Sequence, residues 1–276
     1  MALGINKNTD KYAVLGNPIA HSKSPIIHAA FAKQTNQNIS YEAILAPIDG
    51  FASTVNGLVA EGYKGLNVTV PFKFEAYNTC TQKSARALFA GAVNTLILNG
   101  NSIDGDNTDG AGLVRDITLN LGFALQHKRV LLLGAGGAAE GVLMPIVEQK
   151  PSTLTIANRS LPKAASMASK VSDDFTVNSV SFDALDNCEF DIIINATSTG
   201  LTDTALPIPN SIFAKDCLAY DMMYGRETPF MVQARNAGAI VADGLGMLVE
   251  QAAESFYIWR NVRPNTQPII QMLRAQ

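Results

Sequence analysis

Short apolar runs alternate with amphipathic stretches along the whole chain, the rhythm of an α/β fold. In the first part, Tyr12–Leu15, Ser40–Leu45 and Leu66–Val70 read as strands, and Pro25–Gln34 and Phe51–Glu61 read as helices. Ser24 followed by Pro25 predicts a helix start, with Ser24 as N-cap and Pro25 at the first helical position, where a missing N–H does no harm. Asn94–Leu98 and Ser102–Asp106, joined by Asn99-Gly100-Asn101, predict a hairpin with an Asn-Gly turn. Alternation before Pro71 puts Asn67 and Thr69 on one strand face, with Val68 and Val70 on the other.

The second part is more regular. Arg129–Leu133 is a continuous apolar run, as suits a strand buried on both faces. Thr153–Ala157, Phe175–Val180, Asp191–Asn195, Cys217–Asp221 and Ile240–Ala242 follow, with helical patterns such as Gly137–Gln149 and Leu161–Lys170 between most of them. That succession predicts a doubly wound parallel sheet. Leu245–Arg260 and Pro268–Arg274 read as helices that return to the first part. The expected organisation is two domains: an N-terminal α/β domain built from residues 1–109 with 244–276, and a Rossmann-like doubly wound parallel-sheet domain at 110–243.

Composition narrows the function classes. With 276 residues, 47% of them hydrophobic and 16% charged, the chain can fill two cores. A net charge of -3, spread without long runs of one sign, weighs against a nucleic-acid partner, which wants a basic surface. Cys80, Cys188 and Cys217 form no CxxC pair, which fits a reducing compartment better than a disulfide framework. His21, His28 and His127 are too scattered for a zinc site, and no metal is expected. The opening MALGINKNTDKY lacks the apolar region of a signal peptide, and no run of about 18 apolar residues spans a membrane. A cytoplasmic protein acting on a small molecule is expected, with a homodimer as the commonest kind of assembly.

The strongest chemical signal is Gly134-Ala135-Gly136-Gly137-Ala138-Ala139, which follows a strand and opens a helix. The first glycine permits the tight turn, the second lets the backbone approach a pyrophosphate, and the small last residue lets helix and strand pack closely. The helix N-terminus then offers N–H groups and a positive dipole end to phosphate. The next strand ends at Ala157-Asn158-Arg159-Ser160, where an NAD enzyme would place an acidic residue on the ribose 2′-hydroxyl. Arg159 instead offers a charged planar fork suited to a 2′-phosphate, with Asn158, Ser160 and Lys163 as further donors, so NADP(H) is favoured over NAD. Asn195-Ala-Thr197-Ser198-Thr-Gly200 and Asp221-Met222-Met223-Tyr224-Gly225 follow two later strands and bring polar groups to the same carboxyl edge, where open α/β sheets bind ligands.

Three motifs in the first part are hard to explain by folding alone. Gly16-Asn-Pro-Ile-Ala-His21-Ser22-Lys-Ser24-Pro25 sets two hydroxyls at a helix mouth, where a carboxylate binds readily. Asn67-Val-Thr69-Val-Pro71-Phe-Lys73 adds an amide, a hydroxyl and an ammonium. Gly91-Ala-Val-Asn94-Thr95 and Gly105-Asp106-Asn107-Thr108-Asp109-Gly110 place amides and carboxylates beside two chain reversals.

Together GNPIAHSKSP, GLNVTVPFK, AVNTL, GDNTDG, GAGGAA, NRS, NATSTG and DGLGMLVEQA stand in an order and spacing that resembles the shikimate dehydrogenase family over most of the chain. The resemblance implies an NADP-dependent oxidoreductase of aromatic amino acid biosynthesis that interconverts 3-dehydroshikimate and shikimate. It implies that Ser22 and Ser24 bind the substrate carboxylate, and that Asn67, Thr69, Lys73, Asn94, Asp109, Tyr224 and Gln251 complete the substrate site, with Lys73 and Asp109 as the catalytic pair. On the cofactor side it implies Gly134, Ala135, Gly136, Gly137 and Ala138 at the turn, and Asn158, Arg159, Ser160 and Lys163 at the 2′-phosphate. Thr197, Ser198, Met222, Gly244 and Met247 complete that set. The family often has Thr where this chain has Ser160, and the hydroxyl is kept. Two rivals remain: a quinate/shikimate dehydrogenase using NAD, and a non-catalytic NADP-binding sensor. Arg159 without an acidic neighbour weighs against the first, and the joint presence of Lys73, Asp109 and the ring contacts weighs against the second.

Overall fold

The computed structural model describes residues 9–100, 102–171, 174–202 and 204–276. The first eight residues of the opening segment and Asn101 of the expected turn therefore lie outside the described residues. The chain divides into two compact units, one reaching Asp109 and resuming at Val249–Gln276, the other spanning Gly110–Leu248.

The first unit begins with β1 (Asp10–Gly16), α1 (Ser24–Thr35), β2 (Ile39–Leu45), α2 (Phe51–Ala60) and β3 (Tyr63–Val68). Then come α3 (Lys73–Thr79), β4 (Gln82–Lys83), α4 (Ala85–Ala90) and the hairpin β5 (Thr95–Asn99) and β6 (Ser102–Asp106). The six strands form one mixed sheet in the order β2-β1-β3-β5-β6-β4. β1 runs parallel to both β2 and β3, whereas β5 is antiparallel to β3 and β6. The hairpin closes on the pair Asn99↔Ser102, with Gly100 at φ +64° as such a tight reversal requires. Leu15, Phe51, Leu66, Phe72 and Leu96 pack into the core on one face of the sheet.

Two local expectations are corrected here. The strand ends at Val68, not Val70, because the Phe72 N–H donates to the Thr69 carbonyl at 3.0 Å and turns the chain into α3. Val70 is therefore 65% exposed instead of facing the core with Val68. Ser24 is also not the N-cap of α1: Lys23 holds that position without a side-chain cap, and the Ser24 N–H donates to Ser22 Oγ at 3.3 Å.

The second unit contains the strands β7 (Arg129–Leu133), β8 (Thr153–Ala157), β9 (Val177–Val180), β10 (Phe190–Asn195), β11 (Phe213–Asp221) and β12 (Ile240–Asp243). Its helices are α5 (Asp109–Arg115), which passes into a wider π-turn at Asp116–Asn120, α6 (Gly137–Val147), α7 (Leu161–Ala168) and α8 (Pro229–Asn236). The sheet order is β12-β11-β10-β7-β8-β9 and every pairing is parallel. This is the doubly wound Rossmann-like arrangement, whose strand order reverses between β7 and β10. Val130–Leu133 and Ile192–Ile194 are buried on both faces, as the unbroken apolar runs predicted. α9 (Leu245–Arg260) starts in this unit and continues in the first, followed there by α10 (Gln267–Arg274).

Candidate active site

In the first unit, three polar sequence motifs converge because β3, β5 and β6 are neighbours in one sheet. Lys73 opens α3, just after β3, and Asp109 follows β6 by three residues. Lys73 Nζ meets Asp109 Oδ2 at 2.5 Å, with the side chains 32% and 14% exposed. Asp109 Oδ1 accepts from Asn94 Nδ2 at 2.8 Å, so each carboxylate oxygen has its own donor. The Asp109 N–H donates to Asn107 Oδ1 at 3.1 Å, which fixes the turn that presents the carboxylate.

The orientation of the Asn94 amide is set from behind. Its oxygen accepts from Thr95 Oγ1 at 2.9 Å, from the Thr108 N–H at 2.9 Å and from Thr108 Oγ1 at 3.1 Å. The NH2 group is therefore forced toward Asp109, and also donates to Gln251 Oε1 at 3.4 Å. Asn67 is buried, and its NH2 lies within reach of the Asn94 carbonyl at 3.1 Å, Thr95 Oγ1 at 3.2 Å and Ser255 Oγ at 2.9 Å. Its oxygen accepts from the Tyr41 phenol at 2.7 Å. Lys73, Asp109, Asn94, Asn67 and Gln251 thus belong to one hydrogen-bond network.

Ser22 and Ser24 stand together at the start of α1, with Ser24 buried. Thr69 lies next to Gly16, where an added Cβ would come within 2.6 Å of the Thr69 methyl. Behind Asp109, the Asp106 carboxylate accepts from Arg86 Nε at 2.6 Å, Arg86 Nη2 at 2.8 Å and Ser84 Oγ at 2.5 Å. Burial pushes the Asp106 pKa up, but the Arg86 guanidinium outweighs it and holds the group below its usual range. This anchored carboxylate also receives the Asn107 N–H at 2.7 Å, at the root of the loop that ends in Asp109.

In the second unit, register aligns Leu133, Ala157, Asn195, Asp221 and Asp243 across the carboxyl edge of the sheet. The residues that follow each of them are the expected cofactor residues. Gly134 has φ +107°, a conformation that disfavours any side chain, and a Cβ there would lie 3.2 Å from the Ala196 backbone. A Cβ at Gly136 or Gly137 would meet nothing within 4 Å, so the space over the turn is open to a ligand. Ala135 is half-buried and Ala138 exposed beside it, at the N-terminus of the eleven-residue helix α6. That combination of open backbone and helix N-terminus fits a dinucleotide pyrophosphate.

Beyond β8, Asn158 Nδ2 donates to the Ser160 carbonyl at 3.0 Å and shapes the turn, while Arg159 and Lys163 reach the surface. Two cations and the N-terminus of α7 there suit a phosphate. Thr197 Oγ1 donates to Asn195 Oδ1 at 2.7 Å, and Ser198 is exposed next to it. Gly244 is buried, donates its N–H to the Met223 carbonyl at 2.9 Å, and leaves no room for a Cβ, which would sit 2.3 Å from the Met222 carbonyl oxygen. That contact fixes the segment carrying Met222 and Tyr224; Tyr224 is half-buried and burial raises its pKa. Met247 is buried on the first turn of α9.

Sequence patterns did not single out Tyr41 or Ser255. Tyr41 looks like any strand tyrosine, and the only cue for Ser255 is its place four residues after Gln251, on the same helix face. Among the described residues no group of His, Cys, Asp or Glu side chains is arranged to hold a metal ion, and no helix is long and apolar enough to cross a membrane.

The chain is similar to known proteins along most of its length. Family models match at residues 14–96 (shikimate dehydrogenase substrate binding domain), 117–203 (shikimate / quinate 5-dehydrogenase) and 244–274 (shikimate 5′-dehydrogenase C-terminal domain). The shikimate dehydrogenase (NADP(+)) of Methylobacillus flagellatus is 61% identical over 268 residues, covering 96% of this chain and 99% of its own. A crystal structure of an enzyme from Pseudomonas putida has TM-score 0.92 and 45% identity, covering 96% of this chain and 98% of that one. The shikimate 5-dehydrogenase of Thermus thermophilus, solved in complex with NADP(H) and shikimate, has TM-score 0.86 and 30% identity, covering 97% of this chain and 99% of that one.

Proposed function

Because the chain belongs to the shikimate dehydrogenase family of NADP-dependent oxidoreductases, we propose that it interconverts 3-dehydroshikimate and shikimate with Lys73 and Asp109 as its acid–base pair. The observation that carries the residue assignment is the Lys73–Asp109 pair at 2.5 Å, with the second Asp109 oxygen held by an orientation-locked Asn94.

When bound, NADPH supplies a hydride from its nicotinamide C4 to the ring ketone. The ketone oxygen then gains an electron pair and takes a proton from the Lys73 ammonium; solvent later reprotonates the lysine. In the oxidative direction neutral Lys73 accepts the hydroxyl proton. Asp109 orients the ammonium through the Nζ–Oδ2 contact at 2.5 Å, a charge-assisted hydrogen bond. General acid–base assistance of this kind contributes roughly 10²–10⁴-fold in rate. Ser22 and Ser24 donate to the substrate carboxylate, and Asn67, Thr69, Asn94, Tyr224 and Gln251 surround the ring. A site that hydrogen-bonds each hydroxyl discriminates strongly against analogues that lack one.

For the cofactor, Gly134–Ala138 cradle the pyrophosphate. Asn158, Arg159, Ser160 and Lys163 take the 2′-phosphate, and Thr197, Ser198, Met222, Gly244 and Met247 line the remainder. The protein works in the cytoplasm as a small-molecule enzyme, and its net charge of -3 weighs against a nucleic-acid partner. The test is oxidation of shikimate by the purified chain with NADP⁺ and with NAD⁺. Turnover with a clear NADP⁺ preference is expected; NAD⁺ preference, or binding of NADP⁺ without turnover, contradicts the proposal.

A further inference from the structure

Arg86 stands on the first turn of α4, outside every motif that marks the site. Its guanidinium bridges two carboxylates. Nε and Nη2 grip Asp106 side by side, at 2.6 and 2.8 Å, and Nη1 and Nη2 both donate to Glu254 Oε1 on α9 at 3.1 Å. Arg263 holds the other Glu254 oxygen. Two cations and two anions cancel, so the cluster has no surplus charge with which to draw a ligand, and its effect is geometric. What it holds is the root of the loop that carries Asp109. Asp106 Oδ1 also accepts from the Ser84 hydroxyl at 2.5 Å and from the Asn107 N–H at 2.7 Å. Asn107 is buried, its NH2 donates to the Ala92 carbonyl at 3.1 Å, and its oxygen receives the Asp109 N–H at 3.1 Å.

We propose that Arg86 is a positioning residue for Asp109: braced by Glu254, it clamps Asp106 and so fixes the loop that brings the Asp109 carboxylate to the Lys73 ammonium. The connection is three consecutive hydrogen bonds, from Arg86 to Asp106, from the Asn107 N–H to Asp106, and from the Asp109 N–H to Asn107. Two parallel bonds from a planar fork fix the direction of a carboxylate as well as its distance, which the point charge of a lysine does not. An error of about 1 Å in the placement of a reacting group costs roughly 10²-fold in rate. The inference rests on the reading that Asp109 assists Lys73 in proton transfer, and it adds a residue that acts only through the loop.

Arg86→Lys keeps the charge and most of the bulk and removes the fork. In a single turnover of 3-dehydroshikimate with NADPH it is expected to slow hydride transfer about tenfold, part of the cost of a full misplacement, while the dissociation constant for NADPH and the unfolding midpoint stay near wild type. Asp109→Asn should slow the same step by roughly 10²-fold. Added to Asp109→Asn, Arg86→Lys should cost less than about twofold, because its effect passes through that carboxylate. If Asp109→Asn slows transfer and Arg86→Lys does not, the inference fails and the acid–base reading stands. If Asp109→Asn leaves the rate near wild type, both fail. An equal loss from Arg86→Lys in both backgrounds, or a matching rise in the dissociation constant for NADPH, identifies Arg86 as general scaffolding and overturns the proposal.

Discussion

His28 makes a quantitative prediction about acid stability. The imidazole is enclosed by Phe31, Tyr41, Phe256 and Trp259, and burial lowers its pKa from 6.5 to about 3, with the Asn67 side chain opposing only in part. No charged side chain is among those ring neighbours, and Tyr41 is neutral in this range because its own pKa is pushed up. Below pH 6.5 the unfolded chain takes up a proton that the folded chain refuses. Stability therefore falls as pH is lowered from 6.5 toward about 3, by about 1.4 kcal/mol per pH unit. At pH 4.5, two units below 6.5, the loss from His28 alone is about 3 kcal/mol, a large share of the roughly 5–15 kcal/mol that holds a domain folded. The two carboxylates held below the ordinary value of 3.8, Asp106 and Asp191, stay largely ionised in both states above that pH and contribute little. The experiment compares wild type with His28→Phe by urea unfolding at pH 7.0 and 4.5, followed by fluorescence of Trp259, the single tryptophan, whose ring centroid lies 5.5 Å from that of His28. Any change in packing is the same at both pH values and cancels. Wild type should lose about 2–3 kcal/mol more than the variant between the two conditions. Equal losses would refute the argument that the imidazole is buried and neutral.

Two further substitutions probe the second unit. Arg159→Leu should raise KM for NADP⁺ by about 10–100-fold, the worth of charge-assisted bonds to a phosphate, and leave KM for NAD⁺ nearly unchanged; equal effects on both cofactors would remove Arg159 from the 2′-phosphate site. Gly110→Ala puts a Cβ 2.3 Å from Pro145 Cγ and 2.6 Å from the Gly141 carbonyl oxygen, so α5 and α6 must separate. A loss of about 1–3 kcal/mol in urea unfolding is expected, and a change under about 0.5 kcal/mol would show that the helices yield more easily than their packing implies.

The parallel sheet was legible because its central strands are buried on both faces, and a run such as Val130–Leu133 has no competing pattern. α3 and α4 were not legible: seven and six residues hold less than two turns, too few for a 3.6-residue period to repeat. α8 carried a readable start, since Thr228 Oγ1 accepts the Met231 N–H at 3.3 Å ahead of Pro229, but its apolar pattern is short. At α1 the N-cap lies one residue earlier than expected, at Lys23, because the backbone already turns helical there and the Ser24 N–H donates to Ser22 Oγ, which no local sequence pattern distinguishes from a Ser24 cap. The candidate site divides in the same way. Lys73, Asn94 and Asp109 stood out as residue types in dense polar motifs, yet the direction of the Asn94 amide depends on Thr95 and Thr108, and no sequence pattern encodes which end of an amide faces a carboxylate. Tyr41 and Ser255 reach the network only through sheet order and helix phase.

The proton-transfer role of Lys73 is tested most directly by single-turnover reduction of 3-dehydroshikimate by Lys73→Ala loaded with NADPH, alongside the dissociation constant for NADPH measured by its fluorescence. Hydride transfer should slow by about 10²–10⁴-fold while the dissociation constant stays within a few-fold of wild type. A transfer rate within a few-fold of wild type, with Asp109 left without its ammonium partner, would show that another group delivers the proton.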